Sequence, residues 1–156
     1  MRIRSYRSGD VEQIARLIKS TFLRYNESEG SREAVREYVG RYSTDRLEQL
    51  ADLLQHDTII FVADDSERVV GVVRGNEHRV FQLFVDERYH GQGLGRKPME
   101  RFENTARRKD SRQINLRSSL YAIQFYEHLG YRKTTGIRTS LMFGDIRYQP
   151  MKKELK

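Results

Sequence analysis

Near the N-terminus, Val11, Ile14, Leu17, Ile18 and Phe22 recur at the spacing that places side chains on one face of an amphipathic helix. Ser8, Gly9 and Asp10 mark its start, with Asp10 as the expected N-cap and Gln13 in the capping-box position. The helix is expected to run to about Arg24, after a short alternating strand from Arg2 to Tyr6. A polar break from Asn26 to Gly30 separates it from a second helix, capped by Ser31 and carrying Val35, Tyr38 and Val39. A third helical stretch, Thr44 to about Gln55, carries Leu47, Leu50, Leu53 and Leu54. Gly40 interrupts these two.

From Thr58 the helical period gives way to runs rich in β-branched residues. TIIFVAD, RVVGVVR (Arg68 to Arg74) and EHRVFQLFV (Glu77 to Val85) read as three strands joined by the short polar turns at Asp64–Glu67 and Gly75–Asn76, an antiparallel meander. Helical spacing returns with Met99, Phe102 and Ala106, and the helix ends near Lys109, where Arg107, Arg108 and Lys109 complement its dipole. Pro98 is tolerated only in a first turn, so regular helix is expected to start at Gly95 or Arg96. Gln113 to Arg117 reads as a strand and Tyr121 to Leu129 as a short helix stopped by Gly130. Tyr131 to Thr135 and Thr139 to Gln149 read as two final strands. The order predicts a single α/β or α+β domain over residues 1–156 with a mixed sheet.

Composition narrows the chemistry. The 156 residues are 37% apolar and 33% charged, enough for one core. The absence of cysteine excludes disulfides, thiolate metal sites and a cysteine acyl-enzyme, and no metal site is expected. The longest apolar run is too short to span a bilayer, so a soluble, cytoplasmic protein with no membrane partner is the expectation. The net charge of +7 suits nucleic acid or a phosphorylated small molecule. The charges are scattered and no aromatic stacking platform is visible, so nucleic acid is not the expected partner.

The stretch RYHGQGLGRK (residues 88–97) follows a strand and opens a helix, the context in which backbone N–H groups and a helix dipole bind phosphate. A Walker loop needs Ser or Thr after the lysine, where Pro98 stands. A dinucleotide fingerprint needs a wider glycine spacing and a parallel unit. The third reading is the pyrophosphate loop of acetyl-CoA-dependent acyltransferases. Gly93 and Gly95, after a strand closing in Leu83, Phe84 and Val85, resemble the signature of the GCN5-related N-acetyltransferase (GNAT) superfamily. His90 departs from the Gln or Arg usual at its first position, and Gly91 is an extra glycine. NLRSSLYAIQFYEHLGY (115–131) is similar to the family's strand–helix–strand segment, with Phe125, Tyr126, Leu129, Gly130 and Tyr131 on its pattern. The tail GDIRYQPMKKEL resembles the last strand of one bacterial and archaeal subgroup.

The resemblance implies a GNAT fold: a mixed, mostly antiparallel sheet of about six to seven strands flanked by about four to five helices, strands four and five splayed around the cofactor's pantetheine arm. It implies acetyl-CoA as cofactor, with CoA as product, held by Leu83, Phe84 and Val85, by the loop Arg88, His90, Gly91, Gln92, Gly93, Leu94, Gly95, Arg96 and Lys97, and by Ser119, Ala122 and Phe125. A backbone N–H near Phe84 or Val85 would polarise the thioester carbonyl. Tyr126 matches the tyrosine assigned as general acid to the thiolate; a purely core role for it is the alternative, as a solvated face is for Arg96 and Lys97. Strand-four positions that carry a base in some members hold Arg79 and Phe81, which cannot serve, and Glu77, two residues further back, could act through water. The base is unassigned, and His78 and His128 read as surface residues. Tyr25, Glu27, Glu29, Tyr38 and Tyr42, with Glu77 and Arg79, are candidate contacts for the acceptor amine of a small molecule or peptide. An acidic lining would suit a cationic amine. A homodimer is common in the family. A non-catalytic acyl-CoA-binding module and a basic nucleic-acid- or protein-binding module on the same fold stay open.

Overall fold

The computed structural model describes residues 1–142 and 144–156. Among them, eight strands form one sheet: β1 (Arg2–Ser5), β2 (Ile59–Asp65), β3 (Arg68–Asn76), β4 (Arg79–Val85), β5 (Gln113–Ser118), β6 (Arg132–Lys133), β7 (Arg138–Thr139) and β8 (Arg147–Glu154). The order is β1-β2-β3-β4-β5-β8-β6, with β7 also pairing β8. Every pairing is antiparallel except β4 with β5. The helices are α1 (Val11–Tyr25), α2 (Arg32–Gly40), α3 (Leu47–Gln55), α4 (Arg96–Arg108) and α5 (Ile123–His128). They cover both faces, because alternate strand residues point opposite ways. Val62 and Val72 pack with Ile14, Ile18, Phe22 and Leu54 of α1 and α3. Phe61 and Val73 pack with Met99, Phe102 and Ala106 of α4 and Tyr126 of α5.

Two features open the sheet. The parallel β4–β5 contact holds only at Arg79–Asn115 and Val80–Leu116, beyond which the strands part. Just there β4 carries a bulge: Gly75 faces Val80 and Arg74 faces Gln82, so Phe81 has no opposite residue. A side chain at Gly75 would collide with the Arg79 carbonyl, so the bulge needs glycine.

Several expected boundaries shift. Asp10 makes no side-chain cap; its carboxylate accepts from the Arg7 N–H at 2.8 Å and from the Arg4 guanidinium at 2.9 Å. Gln13 instead accepts from the Val69 N–H at 3.0 Å, tying α1 to β3. The strand expected from Glu77 begins at Arg79, because Asn76 Oδ1 accepts from the N–H groups of His78 and Arg79 and closes a turn. The short helix starts at Ile123, and the strand expected over Tyr131–Thr135 shortens to Arg132–Lys133. Of the strand expected from Thr139 to Gln149, Thr139 ends β7 and Arg147 to Gln149 open β8, while the described residues 140–142 and 144–146 belong to no strand. Gly144 takes φ 64 and Leu141 is wholly exposed, whereas Met151 is buried in the core. Phe143 of that segment lies outside the described residues. Regular helix does begin at Arg96, with Pro98 in the first turn.

Candidate active site

The parting strands and the loops around them bound a cavity of about 1190 Å³. On the β4 side it is lined by Leu83, Phe84 and Val85, continuing through His90, Gly91, Gly93, Leu94 and Gly95. On the β5 side stand Ser119, Ala122, Phe125 and Tyr126, and Tyr25, Glu29, Tyr38, Tyr42 and Arg79 close it. Strand geometry decides which backbone groups face the gap. The Asp86 N–H donates to Val70 O at 2.8 Å. By alternation the Phe84 N–H also faces β3, while the N–H and C=O groups of Leu83 and Val85 point into the gap.

The loop is shaped by its glycines. Gly91 and Gly93 hold φ +78 and +76, the left-handed region that favours glycine. Gly95 lies flat on Phe125, whose ring a Cβ there would meet at 2.9 Å. The thirteen-residue α4 follows, its free N–H groups directed back at the loop. His90 closes one side: its Nε2 lies 2.6 Å from Val85 O, so that nitrogen carries the proton. The His90 ring sits 4.7 Å from Tyr25, which in turn sits 4.5 Å from Tyr121. The imidazole that departs from the glycine-loop signature is thus one of three rings joining the end of α1, the loop and the β5–α5 connection.

Tyr126 is 6% exposed, with its ring edge-on to Phe125 and Tyr131 at 5.1 and 5.7 Å. Its hydroxyl makes no hydrogen bond with any described residue, and burial pushes its pKa well above the ordinary tyrosine value. The neighbouring Tyr131 hydroxyl, by contrast, donates to Glu103 Oε2 at 2.9 Å.

The opposite wall is a buried polar network whose central members, Arg74 and Gln82, the sequence reading missed. Arg74 donates to both Asp57 oxygens at 2.6 and 3.1 Å and to Gln82 Oε1 at 2.9 Å. That leaves the Gln82 amide nitrogen facing Tyr38 and Tyr42, to whose oxygens it donates at 2.8 and 2.7 Å. Glu29 performs a second task. Its carboxylate accepts from the Leu120 and Tyr121 N–H groups at 2.9 and 3.1 Å and from Asn26 at 2.9 Å, locking the α1–α2 connection onto the β5–α5 loop. Arg74 lies in β3 and Gln82 in β4, strands that already looked apolar or alternating, and no local signal marks their partners.

Other expected residues stand apart from the cavity. Glu77 sits in the turn before β4, its carboxylate accepting from Thr58 at 3.2 Å. Arg88 is folded onto Asp86, Gln92 donates to Arg88 O, Arg96 lies near Glu100, and Lys97 is exposed. Glu27 does not line the cavity either. The acidic lining is not observed. Among the described lining residues Glu29 is the sole carboxylate, against Arg41, Arg46, Arg74, Arg79, Arg117 and Arg147.

Comparison with known proteins fits this geometry. Residues 26–155 match the acetyltransferase (GNAT) domain family. A histone acetyltransferase, TAP1, of Glycine max is 29% identical over 73 residues, 44% of this chain and 32% of that protein, so the match covers about a third of that relative's length. The fold is shared with a GCN5-related N-acetyltransferase from Rhodopseudomonas palustris, at TM-score 0.86, 17% identity, 99% of this chain and 95% of that one. It is also shared with the paiA N-acetyltransferase of Thermoplasma acidophilum, solved with coenzyme A, at TM-score 0.75, 15% identity and 98% of both chains. The family match runs from the end of α1 through β8 and takes in the glycine loop, the parted strands and Tyr126, and on it the chain belongs to the GCN5-related N-acetyltransferase (GNAT) family.

Proposed function

We propose that the protein transfers the acetyl group of acetyl-CoA to a primary amine of a small molecule or peptide, by direct attack with both substrates bound. The observation that carries this reading is the parting of β4 from β5 after two paired residues, with a glycine loop at one end of the gap and the Tyr126 hydroxyl beside it. The residues present fit the cofactor. The left-handed Gly91 and Gly93 and the free N–H groups at the start of α4 suit a pyrophosphate, and the gap-facing backbone of Leu83 and Val85 suits an extended pantetheine arm. When bound, acetyl-CoA supplies the acetyl group as an activated thioester.

The chain's own groups then divide the work. The N–H groups of Leu83 and Val85 face the gap and are the candidates to stabilise negative charge on the carbonyl oxygen; the Phe84 N–H is committed to β3. Tyr126 lines the gap and holds its proton at Oη, where it would meet the sulfur of a bound thioester. A phenol whose pKa is raised above about 10 does not fully surrender its proton to a thiolate of pKa about 8.5. Tyr126 therefore acts as a hydrogen-bond donor that stabilises developing negative charge on sulfur. Glu29, the one lining carboxylate, is occupied by three N–H donors and is no base. The arginine-rich lining supplies an alternative: nearby positive charge lowers the pKa of a bound ammonium and favours the neutral amine that attacks.

The chain has no cysteine, so a thiol reagent added to the reaction reads released CoA alone. Acetyl-CoA and CoA are expected to raise the melting temperature, and Gly93→Glu to abolish that shift; no shift at saturating CoA sinks the reading. Thiol release across an amine panel separates turnover from the alternative of a module that binds acyl-CoA without transferring it.

A further inference from the structure

A second hollow of about 280 Å³ adjoins the main cavity and shares Arg79, Leu116, Arg117 and Tyr148 with it. Arg79, Arg117 and Arg138 line it together with Thr134, Thr135 and Tyr148, and no carboxylate does so among the described residues. The Arg117 guanidinium lies over the Tyr148 ring at 4.9 Å, and Arg138 donates to Thr135 Oγ1 at 3.3 Å. None of the three arginines has a carboxylate partner among the described residues. Some surface arginines find one, as Arg24 does with Glu87 at 3.1 Å and Arg88 with Asp86 at 2.9 Å, and others do not; what sets these three apart is that they line one hollow together. Three guanidinium groups gathered in a concave site repel one another, and the repulsion is relieved by one shared anion, whose oxygens their planar forks match.

Its place in the fold says which molecule brings that anion. Arg79 opens β4, and the glycine loop follows the far end of the same strand, six residues along or roughly 20 Å away. The cofactor phosphates placed at the loop are thus remote from the hollow. Arg79 and Arg117 instead flank the point where β4 and β5 begin to part, on the sheet face that also carries Arg74 and Gln82.

We propose that this hollow is the anion subsite of the acceptor site: the amine that receives the acetyl group also carries an oxyanion, a carboxylate or a phosphate, seated among Arg79, Arg117 and Arg138. The proposal rests on the acetyl-transfer reading of the main cavity, and deepens it from any primary amine to an acidic one.

The test is titration calorimetry of CoA-saturated protein with 2-aminoethyl phosphate, β-alanine and ethanolamine, which distinguish phosphate, carboxylate and no anion. At least one acidic amine is expected to bind at least about tenfold more tightly than ethanolamine. Arg79→Gln with Arg138→Gln, both at exposed positions, is expected to erase that margin while the CoA-induced thermal shift persists. Ethanolamine binding as tightly as the acidic amines, or a margin that survives in the double variant, overturns the subsite. Should CoA give no shift, the acetyl-transfer reading fails by itself. Titration of the free protein with inorganic phosphate then decides the subsite, which stands if binding is lost in the double variant and falls otherwise.

Discussion

Replacing Tyr126 with phenylalanine separates the two roles its position allows. The ring is buried between Phe125 and Tyr131, and phenylalanine keeps both edge-on contacts while deleting one oxygen. That oxygen has no hydrogen-bond partner among the described residues and is open to the cavity, where solvent can satisfy it, so no penalty for a sealed hydroxyl applies. Tyr126→Phe is therefore expected to unfold within about 0.5 kcal/mol of the parent, its melting temperature moving by less than about 2 °C. Turnover does not hold. A hydrogen bond to a charged sulfur contributes about 1.5–3 kcal/mol, so kcat falls about 10- to 150-fold while CoA affinity holds. Thiol release under saturating acetyl-CoA, paired with a CoA titration, measures both. Because burial keeps the phenol protonated above its ordinary pKa, no loss of rate from its ionisation is expected below about pH 10. A variant that melts earlier and turns over at the parental rate would refute the reasoning and return Tyr126 to the core.

Gly95→Ala puts a methyl group 2.9 Å from the Phe125 ring and is expected to displace the loop, so that the CoA-induced thermal shift shrinks sharply; an unchanged shift shows that the loop's fit against Phe125 is unimportant. Asp57→Asn leaves the Arg74 guanidinium, its side chain 7% exposed, without its anion. Denaturant unfolding should show a loss of about 3–5 kcal/mol, and a loss under about 1 kcal/mol would mean that the pair is readily replaced. Arg4 bonds Asp10 at 2.9 Å and Asp64 at 2.8 Å. Burial pushes the Asp10 carboxyl up, but Arg4 and the Arg7 N–H outweigh it, and Arg4 holds Asp64 down directly, so both titrate below their ordinary value. Their contribution is whole above about pH 4, the unfolded value, and is lost as pH falls through the lower folded values. The stability gap between the parent and Arg4→Met should accordingly narrow in acid, and a gap constant from pH 6 to about pH 2.5 excludes this coupling.

Local pattern sufficed for much of the molecule. The helical spacing of Val11 to Phe22, the three-strand meander and the helix start forced by Pro98 all stand in the structure. Each is set by a period or a backbone preference that neighbouring residues carry. The turns of the glycine loop were legible for a similar reason, since a chain that turns through left-handed conformations advertises it with glycine. What the sequence could not decide were partners distant along the chain. Asp10 looked like a helix cap, yet β1 brings Arg4 to its carboxylate. Glu29 looked like an acceptor contact, yet it serves the N–H groups of Leu120 and Tyr121, more than ninety residues away. Glu77 continued the alternation of β4 until Asn76 closed a turn before it. The charge of the hollow beside the main cavity was hidden in the same way. Arg79, Arg117 and Arg138 are scattered in sequence, and only the pairing of β4 with β5, of β5 with β8 and of β7 with β8 gathers them around one hollow. A single chain position records its own propensity, but the electrostatic character of a site depends on which strands the sheet sets side by side.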